Sequence, residues 1–151
     1  MKEWIYLIFI TFLPGIELRG SIPLAILHYN KNIFLSPTII ICVNILLIPI
    51  VFLMWQLIIF LAQKITIVDK YLNHVRKRAR SLIDKYGFWG LVILVAIPLP
   101  GTGAYTGALA AELFAMKKRK AFLAIGLGVI IAGIIVTLAS IGIIPLKGIN
   151  K

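Results

Sequence analysis

Two stretches of this chain, 33–63 and 121–146, contain no Asp, Glu, Lys or Arg. A helix needs about 20 apolar residues to cross about 30 Å of hydrocarbon, and both stretches are long enough. That single feature sets the solvent. The composition agrees: of 151 residues, 61% are hydrophobic and 14% charged, and the mean hydropathy is +1.03. An ordinary soluble domain is about 45–50% apolar and about 25% charged. A soluble enzyme, a secreted disulfide scaffold and a disordered tail are thereby excluded. The expected fold class is an all-α integral membrane protein in one membrane domain.

Two further apolar stretches are too short to cross. Trp4–Leu13 is broken by Pro14-Gly15 and then by Glu17 and Arg19, after which Ser21–Tyr29 is apolar again. Gly87–Ile97 is broken by Pro98-Leu99-Pro100-Gly101-Thr102-Gly103, after which Ala104–Met116 follows. Each arm, of roughly ten to thirteen residues, would reach about 15–20 Å as a helix. One arm cannot span, but two arms joined at a turn can enter and leave by one face. The reading is a re-entrant hairpin over 2–29 and another over 87–116.

Charge supports that topology. Seven basic residues fall between Lys64 and Lys85, and four more are Lys117–Lys120. Lys and Arg resist translocation, so both clusters belong on the cytoplasmic side. A single crossing by 87–116 would separate them; a re-entrant hairpin keeps them together. The expected location is the cell membrane, multi-pass, with both termini outside and loops 64–86 and 117–120 cytoplasmic. The formal net charge of +11 therefore reflects topology, and no nucleic-acid partner is expected, since no groove-reading motif is present.

The halves repeat. Leu13-Pro14-Gly15 matches Leu99-Pro100-Gly101 at an offset of 86 residues, which also pairs Leu24-Ala25 with Ala110-Ala111. Repeat one is 1–63 (hairpin 2–29, spanning helix 33–63), and repeat two is 87–146 (hairpin 87–116, spanning helix 121–146). The two enter from opposite faces, an inverted repeat of the kind that places transporter sites near the midplane. Between them, Val68, Leu72, Val75, Ala79, Leu82, Ile83 and Tyr86 recur at helical spacing opposite a basic face. That pattern predicts an amphipathic interfacial helix over 68–86 lying on anionic lipid headgroups.

The segments Pro14–Pro23 and Pro98–Gly107 resemble the two signature segments of the small multidrug export proteins, and the resemblance covers nearly the whole chain. That family is distantly similar to DedA-like membrane proteins, which carry two facing re-entrant hairpins. The resemblance implies export or translocation, with lipid phosphates and the proton-motive force as the DedA associations. The second hairpin has no arginine near its tip, a departure from the DedA pattern that blocks residue-level transfer.

The residues at the two breaks are the candidate substrate or ion site: Pro14, Gly15, Glu17 and Arg19 in the first, and Pro98, Pro100, Gly101, Thr102, Gly103, Tyr105 and Thr106 in the second. Helix N-termini at mid-membrane depth attract anions, and Gly101 and Gly103 let a ligand approach the backbone. Thr102, Tyr105 and Thr106 offer hydroxyls, to a ligand or merely as helix caps. Glu17 and Arg19 are the acid and base at membrane depth, a functional site by default. Their i,i+2 spacing points them apart. Arg19 suits a phosphate and Glu17 can carry a proton. The competing structural roles are stabilisation of a helix N-terminus by Glu17 and a tie between hairpins through Arg19.

The leading expectation is a small transporter or flippase-type translocator, not an enzyme, ion-coupled and acting on an anionic or lipid-phosphate substrate. A cationic multidrug exporter using Glu17 and a non-transporting scaffold are the alternatives. No cofactor is expected, and neither His28, His74 nor the lone Cys42 has metal-ligand spacing. Asn44 and Gln56 are expected to seek partners within the bundle, and Glu112 to be a solvated interfacial acid. Small residues recur every four at Gly103, Gly107, Ala111 and Ala115, and at Ala124, Gly128 and Ala132, which permits close helix contact. Two spanning helices give thin cover to two broken hairpins, so a homo-oligomer is expected.

Overall fold

A computed structural model describes residues 2–61, 66–99 and 102–148. Among them the secondary structure is all helical: α1 (Lys2–Thr11), α2 (Glu17–Pro23), α3 (Leu35–Leu61), α4 (Thr66–Tyr86), α5 (Phe88–Ala96), α6 (Ala104–Leu113) and α7 (Lys118–Gly148). Two of these hold spans long and apolar enough to cross a membrane, Leu35–Ile58 and Lys118–Gly142, of 24 and 25 residues. At 1.5 Å per residue each covers about 36 Å.

α1 and α2 fold back on one another. Glu3 near the start of α1 forms an ion pair with Lys31 beyond α2. Thr11 Oγ1 lies 2.8 Å from both Leu7 O and Ser21 Oγ, and Ser21 Oγ lies 2.9 Å from Glu17 O, all of it buried. Beyond Pro23 the helix widens into a π turn over Leu24–His28. Proline has no N–H and its ring crowds the preceding turn, so a wider turn is the local relief. Asn30, at φ 49°, ends the segment in the left-handed conformation that Asn tolerates. Asn32 Oδ1 then accepts from the N–H groups of Phe34 and Leu35, at 2.9 and 3.0 Å, and caps α3. The cap starts this helix at Leu35, two residues after the boundary expected from composition. α3 runs unbroken through Pro49.

α4 departs from expectation. Its apolar stripe does not lie open to lipid: Val75, Ala79 and Ile83 are buried in the common core, where α4 packs on α5 and α6. Tyr86 points out instead. The basic face, including Arg76, Lys77 and Lys85, is exposed. Periodicity identifies an apolar face but not what covers it.

The long helices hold the short ones. α2 and α6 each pack on both α3 and α7, and α5 packs on α7. Gly128 makes the α5–α7 approach possible, since a Cβ there would stand 2.6 Å from Val95 Cβ. The small-residue stripes are used except at one end: Gly103, Gly107 and Ala111, and Ala124, Gly128 and Ala132, are buried, whereas Ala115 lies beyond the end of α6 and is exposed. The outer faces of α3 and α7 are apolar and exposed, for example Leu46, Leu53, Leu123 and Leu138.

Candidate functional site

Each short-helix pair is interrupted, and an interruption leaves backbone groups without helical partners. Carbonyls are orphaned where the first helix ends and amides where the second begins. In a dry environment such groups are costly unless protein satisfies them. The chain meets this need by crossing the two breaks over each other.

Glu17 serves one end. Its side chain is 2% exposed. Oε2 accepts from Ala104 N at 3.1 Å and Oε1 from Tyr105 N at 3.3 Å. Both are first-turn amides of α6, so the carboxylate also sits at the positive end of that helix. Glu17 itself is held at φ 45°, a left-handed conformation that costs a non-glycine residue about 1–3 kcal/mol and survives only where surrounding contacts determine it.

Gly103 is what lets Glu17 in. Its φ is 142°, and a Cβ there would stand 2.8 Å from both Cδ and Oε1 of Glu17, with Oε2 closer still. The close approach expected for a ligand at Gly103 is therefore taken by the chain's own carboxylate. The same holds for the amides at the start of α6, which are occupied by Glu17 and not open to an external anion.

Arg19 serves the opposite end. Its Nη2 donates to Val95 O and Ile97 O, each at 3.3 Å, at the C-terminus of α5. A cation there complements the negative end of the helix. Glu17 and Arg19 thus face separate ends of the second break, as their spacing implies, and no ion pair joins them among the described residues. Arg19 has capacity left over. Nε and Nη1 are buried and make no hydrogen bond.

Tyr105 returns the contact. Its hydroxyl donates to Phe12 O at 2.6 Å, just past the end of α1. Trp55 Nε1 on α3 donates to Tyr105 O at 2.9 Å, anchoring the start of α6 to a long helix. Thr102 Oγ1 lies 2.7 Å from Ile97 O and 2.8 Å from Leu99 O, so this hydroxyl closes its own turn. Thr106 is buried. Pro14, Gly15 and Pro98 lie exposed on their turns. Pro100 and Gly101 lie outside the described residues.

The geometry thus joins Glu17, Arg19, Gly103 and Tyr105 into one cluster and leaves the turn prolines at its edge. Sequence reasoning missed Trp55, Thr11 and Ser21. The last two were visible as lone hydroxyls in apolar runs; an indole among so many apolar side chains gave no signal. Asn44, expected to find a partner, is fully buried on α3, and neither end of its amide has one among the described residues. Glu112 is half-buried and pairs with Lys118 at 3.8 Å, so it is less solvated than expected. No group of three or more His, Cys, Asp or Glu residues able to hold a metal occurs among the described residues.

A family model described as "Putative small multi-drug export protein" matches residues 17–135. That range runs from Glu17 through the second break and well into α7. The chain belongs to that family. Its members are classed by export, which is not an enzyme class, and the two long apolar helices fit a membrane protein. No curated protein and no solved structure matches the chain.

Proposed function

We propose that this member of the small multi-drug export family is a translocator for an anionic or lipid-phosphate group, with its site where the two breaks cross. The observation that carries the reading is the buried guanidinium of Arg19, whose Nε and Nη1 have no hydrogen-bond partner among the described residues. Buried polar groups are nearly always satisfied, and an orphan calls for an explanation. The N–H groups of these two nitrogens can donate to the oxygens of a phosphate or carboxylate while Nη2 stays on the α5 carbonyls. The buried, unpartnered amide of Asn44 adds a second polar group in the interior for a ligand or water to meet.

Glu17 is the coupling element in this reading. As a carboxylate it accepts from two α6 amides. A proton on either oxygen replaces an acceptor with a donor and removes the charge that the helix end attracts. Protonation therefore loosens the hold of one hairpin on the other. A carboxylate so enclosed is poorly placed to receive a cationic drug, which is why the anion is preferred.

The membrane arrangement belongs to the same proposal: α1–α2 and α5–α6 are re-entrant hairpins entering from opposite faces. Two observations support an inverted repeat. Adding the sequence offset of 86 to α1 gives 88–97 and to α3 gives 121–147, close to α5 and α7. At the same offset Arg19 matches Tyr105, and each donates to carbonyl oxygen at the end of the other hairpin's first helix. Termini outside, loops 64–86 and 117–120 inside, the exposed basic face of α4 against anionic headgroups, and assembly as a homo-oligomer complete the picture.

The test is flux in reconstituted vesicles with a panel of lipid phosphates and cationic drugs. Lipid-phosphate flux that falls with Arg19→Lys and falls further with Arg19→Ala is the expected result. Flux of cationic drugs alone, abolished by Glu17→Gln, would replace this reading with multidrug export.

A further inference from the structure

The second half of α3 and the first turns of α7 enclose a groove of about 610 Å³ that touches neither break. Phe52 forms its floor, and Pro49, Leu53, Phe122 and Leu123 its apolar walls. Charge enters at one end only, through Lys118 and Arg119, with Gln56 beside them on α3. Lys118 is shared with Glu112. Arg119 has no ion-pair partner among the described residues.

The same two helices form a second groove at their opposite ends, of about 240 Å³, lined by residues such as Ile33, Pro37, Ile134 and Leu138. No charged residue lines it. At the offset of 86, Leu123 matches Pro37 and Phe52 matches Leu138. The two grooves are thus equivalent by sequence offset but differ in cations. Hydrocarbon alone would suit both; only the larger one adds a place for negative charge.

We infer that the α3–α7 groove is a binding site for a membrane phospholipid with an anionic headgroup. The phosphate lies at Lys118 and Arg119 and an acyl chain runs along Leu123, Phe122 and Leu53. The volume lies in the range of small-ligand sites, about 300–1,000 Å³, and fits a headgroup and the upper part of a chain. Arg119 supplies a planar fork to the phosphate and Lys118 a point charge. Gln56 can donate to the ester or glycerol oxygens. The site is independent of the translocation proposal, because none of its residues belongs to the crossed breaks.

The experiment is native mass spectrometry of the full chain in detergent, titrated with phosphatidylglycerol and with phosphatidylcholine of identical acyl chains. Wild type is expected to retain phosphatidylglycerol preferentially. Lys118→Gln/Arg119→Gln should weaken that lipid by at least about tenfold, the worth of one charge-assisted hydrogen bond, and leave phosphatidylcholine unchanged. Leu123→Trp, which fills the groove, should weaken the anionic lipid as well. Lys2→Gln/Lys31→Gln removes the same charge away from this groove and from the basic face of α4, and should change nothing. Thermal melting confirms that each variant is folded. The inference is overturned by equal retention of the two lipids, or by an equal loss in the Lys2→Gln/Lys31→Gln variant, which would mean net charge alone. Displacement by inorganic phosphate at similar concentration would also overturn it, since the chain would then contribute nothing. So would a wild-type dimer that excludes lipid and dissociates with Leu123→Trp, which would make the groove an interface between copies.

Discussion

At Gly103 a hydrogen atom stands where a methyl group would collide with a carboxylate, and the crossing of the two breaks depends on that vacancy. Gly103→Ala must either push Glu17 off the α6 amides or distort a backbone held at φ 142°. Overpacking together with a lost helix cap should cost about 2–4 kcal/mol. Tyr105→Phe removes one hydrogen bond, to Phe12 O, and should cost about 1 kcal/mol. Thermal melting in detergent measures both, and a Gly103→Ala variant as stable as Tyr105→Phe would refute the close approach. The acid and base were legible in the sequence as the ionisable pair set at a break between two short apolar arms. Their partners were not, because Ala104, Tyr105, Val95 and Ile97 contribute backbone atoms. Backbone donors and acceptors occur at every position and leave no mark in the sequence.

Among the elements, the two long helices could be read from apolar length, and the paired short helices from Pro-Gly interruptions between arms too short to span. The fate of α4 could not. Its apolar spacing fits an interfacial helix and a buried one equally, and only packing on α5 and α6 decides. Ala79, fully buried, distinguishes the two. Ala79→Asp places a charge inside the core and should destabilise the protein by about 3 kcal/mol or more. On a helix whose apolar face rests on lipid, the same change would chiefly weaken membrane contact. Melting of the purified protein in detergent separates these outcomes: an unchanged transition would return α4 to the lipid surface. The π turn after Pro23 and the Asn32 cap are finer details of the same kind. Proline and asparagine announce an irregularity, while its form is set by the neighbouring turns.

For the whole molecule, the proposed arrangement combines an internal repeat, a pair of crossed breaks and an anion held by Nε and Nη1 of Arg19. Its topology places Lys85 and Lys117 on one side of the membrane. Cysteines introduced at these positions should react with an impermeant reagent from the same face; labelling from opposite faces would contradict the re-entrant arrangement of α5 and α6. The central claim is that Nε and Nη1 of Arg19 receive an anion while Glu17 holds the start of α6. Lys in place of Arg19 keeps the positive charge but loses the spread of donors that lets one side chain hold the α5 carbonyls and an anion together. The most direct test is the ligand-induced shift in melting temperature for wild type, Arg19→Lys and Arg19→Ala, with soluble lipid phosphates and cationic drugs as ligands. The account predicts stabilisation of wild type by phosphates, a smaller shift in Arg19→Lys and none in Arg19→Ala. A full phosphate-induced shift in both variants, or a shift with cationic drugs alone that vanishes in Glu17→Gln, would contradict it.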